Sequence, residues 1–382
     1  MQITQIRDMR KVKKLWFGGV LPILYVSVIL LSIFFSSAAS EAVRNSVSVC
    51  LDSVIPSLFP FMLLSSFLTV GNGREHIGRL LRKPLGCVFG ITESSACSVA
   101  LGFLCSFPVG ASAASEAYKK GRISSEELTR LLTFINNPGA TFVIGAVGRA
   151  LSSDSAGKAI YLCVILSSVI SGIASRLLFK KEPTHIPSSV TNTPVRHSFS
   201  HVATTAISSA ARNMLSVCAC VITFSVISHV LCSIPPLSLC RSSVEAAVNG
   251  FFEISGGIRL SVRIDRSIAP YFCAAVCSWS GLSVYMQVRS VCKGCKVSFV
   301  PYVISKSAQS LLSPLLLWLY TKLIDPTALI PTASAGKFPQ INLPSFFSSL
   351  VILMFALSLL VLALKSFTHR LFKTYNDIKG GE

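Results

Sequence analysis

Long stretches of the chain hold apolar residues without a single charge, and short polar segments between them carry most of the Lys and Arg. A helix needs about 20 apolar residues to cross the hydrocarbon core of a bilayer. Runs of this length therefore predict membrane-spanning helices. Eight crossings are predicted, at 15–36, 53–73, 131–148, 159–175, 213–240, 243–257, 297–321 and 345–364, of which the sixth is weakened by Glu245 and Glu253 and the seventh contains Lys306.

Two further uncharged stretches, Ser94–Ser115 and Ser267–Val288, are rich in Ser, Gly, Ala and Pro. Such residues favour breaks in a helix and let backbones approach closely. Non-helical backbone at membrane depth persists only where it is buried in protein or lines a cavity. We interpret both stretches as re-entrant hairpins, at 85–115 and 267–290. An ordinary kinked span is the alternative for each.

The distribution of positive charge tests this layout. With the amino terminus inside and both hairpins returning to their side of entry, 28 of the 35 Lys and Arg residues lie in cytoplasmic segments. Cytoplasmic loops of polytopic proteins carry such an excess of basic residues, so both termini are predicted to be cytoplasmic. The first span could instead be a cleaved signal peptide, although its apolar core exceeds the 7–15 residues of a signal sequence.

Composition excludes most other classes of protein. The chain is 51% hydrophobic and only 13% charged, with a mean hydropathy of +0.64 and a net charge of +19. A soluble enzyme, a disordered chain and a nucleic-acid binder fit this composition badly, because ordinary globular chains carry about 25% charged residues. No catalytic motif is present, so we expect no enzyme activity, no cofactor and no metal site. The sequence predicts an all-α polytopic membrane protein in contact with the lipid bilayer and without nucleic-acid partners.

Motifs recur at an offset of 172 residues, where Cys105-Ser106-Phe107 matches Cys277-Ser278-Trp279. Each match leads through a basic turn into a span with a central proline, Pro138 or Pro314. Paired repeats with broken segments are typical of secondary transporters, whose sites lie near the membrane midplane. Both repeats place the basic turn on the same side, which favours a parallel relation. The relation would be inverted if the hairpins cross the membrane, and a chance match is the other alternative. The predicted organisation is a basic cytoplasmic N-terminus at 1–14, a first transmembrane repeat at 15–180, a cytoplasmic linker at 181–212, a second repeat at 213–366 and a cytoplasmic tail at 367–382.

The most specific polar feature is the break around Pro138. Proline removes a backbone donor and frees a carbonyl one turn earlier, and Gly139 lets another chain approach. Asn136 and Asn137 bring amide groups that could hold a neutral or zwitterionic polar solute, or could simply join helices. Glu93, at the start of the first hairpin, is an ionisable candidate at membrane depth. The hairpins would supply the remaining candidate solute-binding residues, which are Ser106, Gly110, Ser278, Ser280, Gly281 and Gln287.

Seven stretches in order along residues 50–322 carry a resemblance to a known family. They are Val54–Met62 (VIPSLFPFM), Gly102–Ala111 (GFLCSFPVGA), Gly121–Leu128 (GRISSEEL), Phe134–Gly139 (FINNPG), Ile144–Gly148 (IGAVG), Gly250–Gly257 (GFFEISGG) and Trp279–Gln287 (WSGLSVYMQ). Together they resemble the sporulation integral membrane protein YlbJ family, whose members carry the nucleoside-recognition (Gate) domain. The resemblance implies a bacterial endospore former, a role in building the spore cortex and a location in a membrane bounding the forespore.

Three functions are compatible with these features. The favoured hypothesis is a secondary-transporter-like protein that moves a small polar solute, such as a nucleoside or a precursor, by rocking its two repeats against each other. The alternative is a non-transporting scaffold that recruits spore-envelope assembly proteins. A third reading is a membrane-embedded enzyme for a lipid-linked precursor, with Glu93 or Glu253 as its acid.

Overall fold

The computed structural model describes residue 30 and residues 33–70, 73–179, 198–234 and 242–329. Within these ranges the chain consists of helices joined by turns and short breaks, as the predicted all-α class requires. The α-helices are α1 Ser36–Val49, α2 Ile55–Val70, α3 Gly73–Phe89, α4 Glu93–Leu104, α5 Val109–Lys119, α6 Ser125–Leu132, α7 Gly148–Ala150, α8 Asp154–Leu178, α9 Phe199–Ser233, α10 Ser242–Phe252, α11 Ile254–Leu260, α12 Ala269–Trp279, α13 Gly281–Val291 and α14 Val300–Leu323, with π-helical turns at Cys50–Val54 and Thr141–Val147 and a 3-10 turn at Ser261–Arg263.

Three helical segments in the described ranges are long and apolar enough to cross a membrane: Ser36–Leu68, Asp154–Leu178 and Phe199–Ser233. They contain most of the predicted spans 53–73, 159–175 and 213–240. The first is longer than predicted, because a π-helical turn joins α1 to α2 without ending the helix. The predicted span 345–364 and almost all of 15–36 lie outside the described residues, and α9 begins at Phe199, inside the predicted linker.

Both predicted hairpins coincide with a pair of short helices on either side of a break. In the first, Cys105–Pro108 separates α4 from α5. In the second, Ser280 has a positive φ of 70° and separates α12 from α13. A further sharp bend of 82° lies between α3 and α4, so that this pair is a broken span or a re-entrant loop. Whether either hairpin is re-entrant stays a prediction.

The predicted sixth span, 243–257, is not one helix. It is divided at Glu253, whose backbone is extended and whose side chain accepts a hydrogen bond from Gly256 N at 2.7 Å. A carboxylate in this position caps the following helix by satisfying one of its free N–H groups. Glu253 therefore ends α10 and begins α11. Before the second hairpin, the Ser267 hydroxyl and N–H donate to Asp265 and hold the pKa of that carboxyl below its usual value.

The two prolines of the predicted repeat behave differently. Around Pro138 the chain leaves the helix from Thr133 to Gly139, as expected for a residue that has no N–H and collides with the preceding turn. Pro314, by contrast, lies inside the continuous helix α14. The expectation of a break there is therefore wrong. A proline inside a membrane helix is tolerated where the surrounding protein supports the helix. Ser313, directly before Pro314, joins α14 to α12 by accepting from Ser278 and donating to the Ala274 carbonyl.

The two predicted repeats do not form separate bodies. One buried apolar cluster combines residues of both, including Phe134, Leu317 and Trp279. A second cluster packs α2 and α9 against α4 and α5, and it includes Leu58, Val217 and Leu101. We call the first cluster and its helices the hairpin core, and we call α1, α2 and α9 the arm. The boundary between the core and the arm crosses the predicted repeats.

Hydrogen bonds across the hairpin core join positions separated by nearly the offset at which the motifs recur. Ser125 donates to the Lys296 carbonyl, 171 residues away, and Ser305 donates to the Thr133 carbonyl at 2.8 Å, 172 residues away. Sequence number rises together on both sides, so segments 115–136 and 291–309 run side by side in the same direction. The repeat itself stays a prediction.

Candidate functional site

The break before Pro138 is closed by its own side chains. Asn136 Nδ2 donates to the Leu132 carbonyl at 3.1 Å, and Asn137 Nδ2 donates to the Phe134 carbonyl at 2.9 Å. Asparagine amides compete with backbone groups in this way, which favours the end of a helix. Both asparagines are completely buried. The predicted polar centre is therefore present, and its amide donors are used locally.

Helix α14 supplies further donors to this break. Lys306 Nζ donates to the Asn136 carbonyl and to Gln309 Oε1, the latter at 3.2 Å. Gln309 Nε2 donates to the Thr133 carbonyl at 2.8 Å. Lys306 is 1% exposed, and no described carboxylate forms an ion pair with it. The side chain therefore places a cationic donor inside the protein and not at the membrane surface.

Ser168 on α8 completes the polar cluster. Its hydroxyl lies within hydrogen-bond distance of Asn137 Oδ1 and 3.2 Å from Gln309 Oε1. Asn137 is thereby bonded through both ends of its amide. Asn136 differs, because its buried Oδ1 has no hydrogen-bond partner. Of the two predicted amides, Asn137 therefore joins helices, and Asn136 keeps an acceptor available.

The first hairpin contacts the break directly. Gly139 N donates to Ser106 Oγ at 3.0 Å, and Phe107 N donates to the Asn137 carbonyl at 3.0 Å. A Cβ on Gly110 would lie 2.6 Å from Gly102 Cα and 2.7 Å from the Ile135 carbonyl oxygen. The structure thus brings Ser106, Asn136, Asn137 and Gly139 together. Gly110 contributes the close approach of backbones rather than a binding group.

The predicted residues of the second hairpin divide into two groups. Ser278 donates to Ser313 on α14 at 2.8 Å, and Ser280 donates to the Cys277 carbonyl at 3.1 Å. Gly281 has a φ of 83°, and a Cβ there would meet the Phe252 carbonyl at 3.0 Å. Ser278 thus joins α12 to α14, Ser280 bonds the end of α12, and Gly281 allows α13 to approach α10 closely. Gln287, in contrast, lines a small cavity together with Ser106.

Glu93 lies away from this cluster. It is the first residue of α4, its side chain is 40% exposed, and it lies 3.8 Å from Arg82. The buried acid at this end of α4 is Glu127, whose Oε1 accepts hydrogen bonds from Thr92 N at 3.0 Å and Ser95 Oγ at 2.7 Å. Sequence reasoning missed Glu127, because the run GRISSEEL gives no sign that a residue of α6 caps another helix.

Three cavities lie in a row between the arm and the hairpin core. The largest, of about 260 Å³, is lined by polar side chains such as Ser66, Ser209 and Arg212. A small cavity of about 20 Å³ follows, beside Leu58, Val217 and Glu253. The third, of about 10 Å³, is lined in part by Asn45, Ser225 and Arg259, and it shares Glu253 and Ser255 with the second.

Glu253 and Lys306 are the functional candidates that the predicted site omitted. Both are polar groups inside apolar stretches, and that signal was visible in the sequence. Their partners were not visible, because they lie on helices distant in the chain. Within the described residues no group of three or more His, Cys, Asp or Glu could hold a metal ion.

Long apolar helices, repeated helix breaks and a fully buried polar cluster define a multi-pass integral membrane protein. The chain is 24% identical over 327 residues to the sporulation integral membrane protein YlbJ of Bacillus subtilis (strain 168), a match that covers 76% of this chain and 80% of that protein. No family model and no solved structure matches the chain. The match agrees with the resemblance predicted from the motifs.

Proposed function

We propose that the protein is a transporter-like membrane protein that moves a small polar solute during formation of the spore envelope and its cortex. The row of cavities between the arm and the hairpin core is the observation that carries this proposal. Along α1 and α2 it runs from Asn45 to Ser66, which is roughly 30 Å at 1.5 Å per residue. That length matches the hydrocarbon core of a bilayer.

The middle of this row of cavities supports alternating access. The row is narrowest at the small cavity, which is lined by Leu58, Val217 and Val221. Hydroxyl and amide groups line the large cavity at one end of the row. The buried cluster of Asn136, Asn137 and Lys306 lies directly behind Ser106, which lines the small cavity. A closed apolar constriction beside polar groups is the arrangement expected of an occluded state.

The packing of the two hairpins changes which parts of the protein are expected to move. Hairpins of both halves share one apolar cluster, so rocking one repeat against the other would expose the buried residues of that cluster. The arm contacts the core through a second, smaller cluster. We therefore assign alternating access to movement of the hairpin core against the arm, with the solute path at their boundary.

The test is uptake by purified protein in liposomes, with a panel of neutral, zwitterionic and acidic solutes that includes nucleosides and cell-wall precursors. Ser209→Trp places an indole in the 260 Å³ cavity, which has room for it, and should abolish saturable uptake. Ile207→Trp, on the 50% exposed face of the same helix, is the matched control and should leave uptake intact.

Equal uptake by both variants would contradict the proposed path. Absence of uptake for every solute, with and without ion gradients, would instead favour the scaffold that recruits envelope-assembly proteins. A role in sporulation has its own test, which is expression of this chain in Bacillus subtilis lacking YlbJ. Recovery of heat-resistant spores by the wild type, and not by Ser209→Trp, would join the solute path to sporulation.

A further inference from the structure

Two buried oxygen atoms on different elements lack hydrogen-bond partners and line the same small cavity. They are Glu253 Oε1, at the break between α10 and α11, and Gln287 Oε1, on α13, the second helix of the second hairpin. Each residue is only 2% exposed. A buried polar atom without a partner loses its hydration without compensation. Two such acceptors beside one cavity indicate a site for a positively charged or donor-bearing ligand.

The size of the cavity limits what this ligand can be. About 20 Å³ is available, and one water molecule needs roughly 10–15 Å³ by the same measure. A nucleoside or another solute of that size is excluded. A single small cation fits.

The chemistry of the lining selects the kind of cation. Besides Glu253 and Gln287, the polar residues that line the cavity are Ser57, Ser106 and Ser255, and the other lining residues are apolar. The acceptor atoms of these polar side chains are oxygens, which suit hard cations such as sodium and not the softer transition metals. Glu253 is the single carboxylate among the lining residues of this cavity. One negative charge matches a monovalent cation, whereas calcium sites usually combine several carboxylates.

The charged and titratable neighbours leave this carboxylate oxygen free. Arg259 on α11 interacts with Glu253 electrostatically, but its Nη2 lies 3.2 Å from His229 Nε2 on α9, and it forms no ion pair with Glu253. Cys50, at the end of α1, is the other titratable group that interacts electrostatically with Glu253. The carboxylate also interacts with the N–H and the hydroxyl of Ser255, and its second oxygen caps α11 through Gly256 N. One oxygen therefore holds the fold while the other faces the cavity.

We propose that Glu253 and Gln287 form the binding site of the coupling ion, a small monovalent cation that is either sodium or a proton. The coupling role rests on the proposed transport function, whereas binding of the ion does not. The site lies where the arm, the first hairpin and the second hairpin meet. Occupation of this point by a cation would bridge the hairpin core and the arm and so bias their relative position.

The test measures the ion and needs no solute. Binding of radioactive sodium to the purified protein is compared between wild type, Glu253→Gln and Gln287→Leu. The first variant keeps an oxygen acceptor for Gly256 N, and the second leaves the cap untouched. Glu245→Gln is the matched control, because Glu245 lies on α10 and pairs with exposed Arg263 at 3.5 Å. Thermal stability is followed in sodium chloride against choline chloride at equal ionic strength, at acidic and at neutral pH.

For a sodium site, wild type and Glu245→Gln should bind sodium and be stabilised by it, and both cavity variants should bind at least about tenfold more weakly. For a proton site, sodium should have no effect, and wild type should be more stable at acidic pH, a difference that Glu253→Gln removes. Identical responses of wild type and Glu253→Gln to both sodium and pH would overturn the proposal. Sodium binding without any solute uptake would instead preserve this site and refute the transport function.

Discussion

Gly110 is the position where the structure makes its sharpest quantitative prediction. An alanine Cβ there would lie 2.6 Å from Gly102 Cα and 2.7 Å from the Ile135 carbonyl oxygen. Carbon atoms pack best at about 3.5–4.0 Å, so the methyl group is about 1 Å too close to backbone atoms on two sides. Neither neighbour can move by rotating a side chain. The hairpin of α4 and α5 must instead separate from the segment before Pro138.

Overpacking of this kind destabilises by about 1–3 kcal/mol. Gly86 provides the matched control, since it is also helical and a Cβ on it would meet nothing closer than the Ile91 carbonyl oxygen at 3.5 Å. Replacing a helical glycine by alanine without a collision stabilises by roughly 0.5–1 kcal/mol. Gly110→Ala should therefore melt below the wild type, and Gly86→Ala should melt at or above it.

The assay is the apparent melting temperature of detergent-purified protein, read as the fraction that stays monodisperse after heating. Both variants are prepared in the same detergent and at the same concentration, because these conditions alter the apparent value. A Gly110→Ala protein as stable as Gly86→Ala would show that the hairpin and the broken segment are not in contact. The packing described for the candidate site would then be incorrect.

Three other predictions concern separate parts of the molecule. Ser168→Ala removes the hydroxyl that donates to Asn137 Oδ1. It should destabilise the protein by about 1–3 kcal/mol in the same melting assay. Ser167→Ala is the control and should change stability much less, because it loses only a bond to the Val164 carbonyl of its own helix. Arg130→Ala removes donors from the Phe89 and Gly90 carbonyls at 2.7 and 2.9 Å and should destabilise by about 1.5–3 kcal/mol. Lys120→Ala, which breaks an exposed pair with Glu116, should change stability by no more than about 1 kcal/mol, and an equal effect of the two substitutions would contradict this ranking. A green fluorescent protein fused to either terminus should fluoresce and an alkaline phosphatase fused there should be inactive, because both termini are predicted to be cytoplasmic; an active phosphatase would reverse the topology.

Local chemistry explains why much of the architecture could be predicted. Apolar runs, small-residue stretches and Pro138 act within one or two helical turns, so their effect on the backbone can be interpreted without knowing the fold. The helical class and the break before Pro138 follow from them. Pro314 shows the limit of this reasoning, since the same residue type leaves α14 continuous where the neighbouring Ser313 joins that helix to α12.

The sequence by itself determined that the chain is a helical membrane protein with polar groups at a helix break, and that it is similar to YlbJ. The tertiary structure alone decided which groups meet: Lys306 with the Asn136 carbonyl, Ser168 with Asn137, and Glu253 with Gln287 at one cavity. The reason is that these contacts join residues 31 to 170 positions apart. Periodicity and composition are local properties, so they reveal a buried polar side chain without revealing its partner.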